Sequence, residues 1–81
     1  MIHEIKIQHE WLDRIRRSTK TCEVRKHDRD YQLGDTLLLR CTCCGCVWHA
    51  RVTHVLPHAL FPEGIQPGYC VLSLDDVGIF K

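Results

Sequence analysis

The chain of 81 residues is long enough for one domain, over residues 1–81, and a domain of this size buries only about 60% of its unfolded surface. Its 44% hydrophobic and 26% charged residues argue against intrinsic disorder, and no apolar run reaches the roughly 18 residues of a membrane span. The formal net charge of +1 argues against strong nonspecific binding of nucleic acids.

The predicted elements begin with a short strand and a helix. Ile5 and Ile7 flank a polar residue, which is the period-2 pattern of a strand. Residues 9–17 place apolar side chains on one face of a helix and arginines mostly on the other. From residue 20 to residue 26 the period is two again, and Glu23 and Arg25 share one face of a second strand.

The rest of the chain is predicted to be mostly strands with short connections. After a loop at 27–30 and a turn at 33–35, the predicted elements are strands at 36–41 and 47–56, a loop at 57–67, a strand at 68–74 and a tail at 75–81 with room for a short edge strand. A turn centred on Gly45 joins the first two of these strands as a hairpin. This order predicts an α+β fold whose mostly antiparallel sheet curls into a small barrel.

Basic residues concentrate in one part of the chain. Seven basic residues and two acidic ones lie between Arg14 and Arg29. Such a stretch can bind phosphates or an acidic partner. It can equally be the solvated face of a helix and the loop that follows, and the sequence leaves both interpretations open.

Four of the six cysteines lie in the predicted hairpin, at Cys41, Cys43, Cys44 and Cys46. The first residues lack a secretory signal, so we expect a cytoplasmic protein with reduced thiols or a metal site rather than disulfides. A Cys-x-x-Cys turn can place two thiolates on a structural zinc ion, but a closed site needs ligands from elsewhere. The alternative is free thiols, with Cys22, Cys41 and Cys70 as small core residues. His54 is expected to be a hydrogen-bonded core residue rather than a ligand.

The segment Lys20-x-x-Glu23-x-Arg25 resembles the ASCH signature, which runs Gly-x-Lys-x-x-Glu-x-Arg in PUA-like barrels. The chain around it is similar to a small DUF3850-type family of ASCH-like bacterial and phage proteins that are described as RNA-binding domains. Segments typical of that family follow one another in order at 3–7, 25–35, 52–55 and 68–73. The resemblance implies a PUA-like (ASCH) β-barrel of about five to six mostly antiparallel strands with one N-terminal helix. Ser18 departs from the signature, which has glycine there, and the cysteine-rich hairpin is shorter than the polar loop of relatives.

The resemblance implies a module that binds RNA or a nucleotide. Arginine and lysine suit phosphate, and a carboxylate beside them can accept a hydrogen bond from a base or from ribose. Either Tyr31 or Trp48 could supply a stacking surface. The expected binding residues are Lys20, Glu23, Arg25, Arg17, Lys26, Arg29 and Tyr31. The competing interpretation is that Glu23 and Arg25 form an ion pair that only supports the sheet.

Two other functions remain open. Some ASCH relatives are amidohydrolases that act on N4-acetylcytidine through a lysine, a threonine and a glutamate. Lys20 matches that lysine, but Glu23 stands at the position of the threonine, and Glu63 is the only nearby candidate for the carboxylate. Without a matched nucleophile, the enzymatic interpretation is less favoured. The third possibility is an interaction module of a phage or mobile element that docks its basic face on an acidic protein.

Overall fold

The computed structural model describes residues 1–80, which form one α-helix, one short 3-10 helix and five strands. In chain order they are β1 (Ile2–Ile7), α1 (His9–Arg16), β2 (Cys22–Lys26), β3 (Thr36–Cys41), β4 (Val47–Pro57), the 3-10 helix (His58–Leu60) and β5 (Tyr69–Ile79). The predicted order and type of the elements are confirmed. β1 begins earlier than predicted, and β5 continues through most of the predicted tail.

The five strands form one sheet in the order β1-β3-β4-β5-β2. β1 pairs with β3 in parallel, and the other three neighbouring pairs are antiparallel. The sheet curls into a half-barrel whose two edges are β1 and β2. The prediction of an α+β, barrel-like fold is therefore confirmed.

The core lies inside the curl of the sheet and is closed by one face of α1. Alternate residues of the strands point inward, as the period of two requires. The buried apolar side chains are Ile5, Ile7, Leu12, Ile15, Tyr31, Leu37, Leu39, Cys41, Ala50, Val52, Cys70, Leu72 and Leu74. No helix within residues 1–80 is long and apolar enough to cross a membrane.

A bulge in β4 changes which side chains face the core. Val52 is paired with Leu74 and His54 with Ser73, so β4 uses two residues where β5 uses one. An extra residue reverses the inward and outward alternation of a strand. Val52 is buried but His54 is exposed. The prediction that His54 is a core residue is therefore wrong.

The end of α1 shows why glycine suits the position that Ser18 occupies. Ser18 has a φ of 60°, in the left-handed region that glycine prefers. Its amide donates to the carbonyl of Ile15 at 3.0 Å, and the Thr19 amide donates to the carbonyl of Arg14 at 3.0 Å. These two bonds form a Schellman motif that ends the helix and turns the chain toward Lys20.

We expect Ser18→Gly to stabilise the protein. Glycine removes a left-handed penalty of about 1–2 kcal/mol but loses about 0.5–1 kcal/mol through its freer unfolded chain. The free energy of unfolding in urea should therefore rise by up to about 1 kcal/mol. Gly34→Ser, at a φ of 88° with open space around it, is the reverse control and should destabilise. A lower stability of Ser18→Gly would contradict this account of the turn.

A buried carboxylate ties β1 to the turn that precedes β3. Asp35 accepts a hydrogen bond from the His3 ring (Nε2 to Oδ2, 2.8 Å) and another from the Gln32 amide (2.9 Å). These bonds, the one with His3 first, lower the pKa of Asp35 from its ordinary 3.8 to about 2. The carboxylate thus contributes to stability above its unfolded pKa, and the contribution is lost as the pH falls from about 4 through 2.

Asp35→Asn should consequently be less stable than the wild type at neutral pH, with a gap that closes below about pH 4. Thermal unfolding from pH 7 to pH 2 measures this difference. Asp28→Asn, at an exposed loop residue, is the control and should show only a small difference throughout. An Asp35→Asn difference that stays constant down to pH 2 would mean that the ionised carboxylate is not what stabilises the turn.

Candidate functional site

The two edge strands of the half-barrel approach each other at one place, which we call the seam. The carbonyls of Met1, just before β1, and of Ile7 accept hydrogen bonds from the β3 side, whereas the carbonyls of Glu4 and Lys6 face the opposite edge. Arg25 Nη1 donates to the Lys6 carbonyl at 3.1 Å, and Arg29 Nη1 donates to the Glu4 carbonyl at 2.8 Å. β1 and β2 are not neighbours in the sheet, so it is the side chains of Arg25 in β2 and Arg29 in the following loop that link this part of the chain to β1.

Glu23 and Arg25 lie on the inner face of edge strand β2. Their register partners in β5 are Leu72 and Cys70, which are fully buried, and paired residues share a face of the sheet. The prediction that Glu23 and Arg25 share one face is thus confirmed. Glu23 is only 7% exposed, and carboxylates are rarely buried to this extent unless they are paired.

Glu23 has two cationic partners, one for each carboxylate oxygen. Lys20 Nζ lies 2.8 Å from Oε1, and Arg25 Nη1 lies 3.3 Å from Oε2. The Lys20 ammonium also donates to the Cys22 carbonyl. Because one carboxylate neutralises only one of the two cations, this trio keeps a net positive charge.

A cleft of about 500 Å³ opens at the seam, beside the trio and α1. It is lined by Lys6, Ile7, Gln8, Trp11, Lys20, Glu23, Val24, Arg25 and Thr42. All three signature residues therefore line one cleft, which has the volume of a small-ligand site.

The cleft has an apolar wall as well as a cationic one. Val24 is 58% exposed and Trp11 is 39% exposed, although both are large apolar residues. The Arg14 guanidinium lies 5.1 Å from the centre of the Trp11 ring. A planar ring beside cations is the combination that holds a stacked base and its phosphate. The helical period places Trp11 on the apolar face of the helix, and its partly exposed position beside the cleft is visible only in the folded chain.

The other predicted binding residues are not all at the cleft. Arg17 is paired with Asp13 on the helix surface at 3.1 Å, and Lys26 is exposed at the end of β2. Arg29 lies at the seam, where it bonds the Glu4 carbonyl.

Tyr31 is 4% exposed and lies away from the cleft. Its ring packs against His3 at 4.8 Å between centroids, and burial raises the pKa of its hydroxyl. Trp48 packs partly buried against the core. Neither of these two rings lines the cleft, whereas Trp11 does.

The four cysteines of the hairpin differ in their surroundings. Cys41 is buried, whereas Cys43, Cys44 and Cys46 are exposed, so the four thiols do not share one environment. Within residues 1–80, no three His, Cys, Asp or Glu side chains converge as metal ligands. Burial raises the pKa of the Cys70 thiol, which suits a small core residue rather than a thiolate ligand.

Comparison with known proteins gives a family match over the part of the chain that forms the cleft. The family described as domain of unknown function DUF3850 matches residues 2–74, which include every residue of the cleft. An uncharacterised 12.9 kDa protein in the GpA 3′ region of Escherichia phage P2 is 45% identical over 38 residues. The matched part covers 47% of this chain and 35% of that relative, so it spans about a third of the phage protein's length.

Removing the Glu23 charge should leave Lys20 and Arg25 side by side without a counterion. We expect Glu23→Gln to lower the free energy of unfolding by about 1–3 kcal/mol, because two charge-assisted bonds at a buried acceptor are weakened. The matched control is Glu4→Gln, whose partner Arg40 at 2.8 Å is on the exposed surface and whose loss should cost less than about 1 kcal/mol. Urea unfolding compares the two, and equal losses would contradict a special role for Glu23.

Proposed function

The chain belongs to the DUF3850 family, and we propose that it is a module that binds RNA or a nucleotide in the cleft at the seam. The observation that carries the proposal is the convergence of Lys20, Glu23 and Arg25 in one cleft next to the exposed ring of Trp11. We also propose that the half-barrel is an ASCH domain of the PUA-like type, since these three residues carry the ASCH signature.

The basic residues retain donors for a ligand after their internal bonds are made. The Lys20 ammonium has three donors, of which Glu23 and the Cys22 carbonyl take two. Arg25 bonds Glu23 and the Lys6 carbonyl through Nη1 alone, so Nε and Nη2 can still bind a phosphate. In this proposal the two residues hold the phosphate of the ligand.

Glu23 acts differently from the expectation that it contacts a base directly. Both of its oxygens already accept from cations, so its contribution is to orient Lys20 and Arg25 toward the cleft. The base then stacks on Trp11, with Val24 and Ile7 completing the apolar wall. The net charge of +1 suits recognition of a few phosphates better than coating of a long nucleic acid.

The trio also protects the sheet, and this role does not compete with binding. Inward-facing charges on an edge strand discourage pairing with another chain. A purely protective pair, however, needs neither a cleft of about 500 Å³ nor an exposed tryptophan beside it. The compartment that we propose is the cytoplasm, where the six free cysteines would stay reduced.

The proposal predicts saturable binding of short RNA that depends on the cleft. Fluorescence anisotropy with single-stranded and hairpin RNAs at two salt concentrations measures it. Lys20→Ala and Arg25→Ala should each weaken binding about 10- to 150-fold, as the loss of a charge-assisted bond of about 1.5–3 kcal/mol implies. Trp11→Ala should cost about 1–3 kcal/mol of stacking, which is about 5- to 150-fold in affinity.

The control is Arg51→Gln. Arg51 lies on β4, is paired with Asp75 of β5 and does not line the cleft. This variant should bind like the wild type. Circular dichroism of each variant confirms that it is folded. If the folded wild type shows no saturable binding at low salt, the proposal is overturned.

A further inference from the structure

A second cavity adjoins the cleft on the side away from β2. It measures about 320 Å³ and is lined by Lys6, Arg40, Cys41, Thr42 and Gly45. Lys6 and Thr42 line both cavities, so the two adjoin at these residues. Each cavity lies within the range of about 300–1,000 Å³ that is typical of ligand sites.

The second cavity extends the cationic wall of the first. Lys6 and Arg40 are register partners in the parallel strands β1 and β3 and both are exposed, so their side chains leave the outer face of the sheet beside edge strand β1, whereas Glu23 and Arg25 lie on the inner face of β2. The combined groove is lined by four basic residues, Lys6, Lys20, Arg25 and Arg40, and by one carboxylate, Glu23. Positive charge thus continues beyond the space that a single nucleotide would fill.

Arg40 is free to exchange its present partner for a phosphate. Its guanidinium lies 2.8 Å from Glu4 Oε1, and both side chains are about half exposed. An exposed ion pair of this kind contributes about 0–1 kcal/mol, less than a bidentate bond from arginine to phosphate. Gly45, with a φ of 76°, has open space where a Cβ would stand, so the hairpin leaves this end of the groove clear.

We infer that the groove binds a single strand of at least two nucleotides rather than a free mononucleotide, with one unit in the cleft and the neighbouring phosphate on Arg40. This inference rests on the proposed function and narrows it. The first unit is held by Lys20, Arg25 and Trp11. The chain then passes Lys6 and Thr42, the two residues that the cavities share, to reach Arg40.

The test compares ligands of different length on the same protein. A mononucleotide, the dinucleotide and the tetranucleotide of one base are titrated into wild type, Arg40→Gln and the control Arg51→Gln. Wild-type affinity should rise at least tenfold from the mononucleotide to the longer ligands. Arg40→Gln should weaken binding of the longer ligands about five- to tenfold, lower their salt slope by about 0.7, and leave mononucleotide binding within about twofold. Arg51→Gln should match the wild type.

Two results would overturn the inference while the proposed function stands. One is mononucleotide binding as tight as that of the longer ligands. The other is an equal loss for ligands of every length in Arg40→Gln. If the folded wild type binds none of the three ligands and no longer RNA, the proposed function fails and this inference fails with it.

Discussion

The hydrogen bonds and ion pairs at the seam depend on one constraint, the unpaired edges of β1 and β2. Within residues 1–80 no strand lies between these two edges, so the β1 carbonyls that face the seam need other donors. Arg25 and Arg29 supply them. A guanidinium held at this edge requires a counterion, and Glu23 provides one on the inner face of β2. The charges at the seam therefore satisfy the backbone before they serve any ligand.

The same constraint creates the candidate site. A fully closed barrel would bring the edges into strand pairing and leave no room between them. The half-barrel instead leaves a cleft bounded by strand edges, helix α1 and the start of β2. Because the cations are already oriented by Glu23 and by backbone carbonyls, they would lose little conformational entropy when they bind an anion. In the proposed function, structural and binding roles are combined in the same three side chains.

Much of the site could be predicted from local sequence. The period of two in β2 correctly placed Glu23 and Arg25 on one face, and Lys20, the third residue of the signature-like segment, lines the same cleft. The rest depended on long-range packing. The helical period puts Trp11 on one face with other apolar residues but cannot show where the covering sheet ends, and Tyr31, which was expected to offer a stacking surface, is buried. The burial of Tyr31 depends on His3, which is distant in sequence.

The sequence by itself determined the type and order of the elements and which residues share a face, because these follow from backbone geometry repeated every two or 3.6 residues. The sequence also shows Ser18 where the signature has glycine, and this residue has a φ of 60° in the turn after α1. Only the tertiary structure decided that β1 lies parallel to β3, that β1 and β2 meet at the seam, and that a bulge turns His54 outward. The physical reason is that periodicity fixes the direction of a side chain relative to its own strand. Which neighbour it meets depends on how distant strands pair and how the sheet curls.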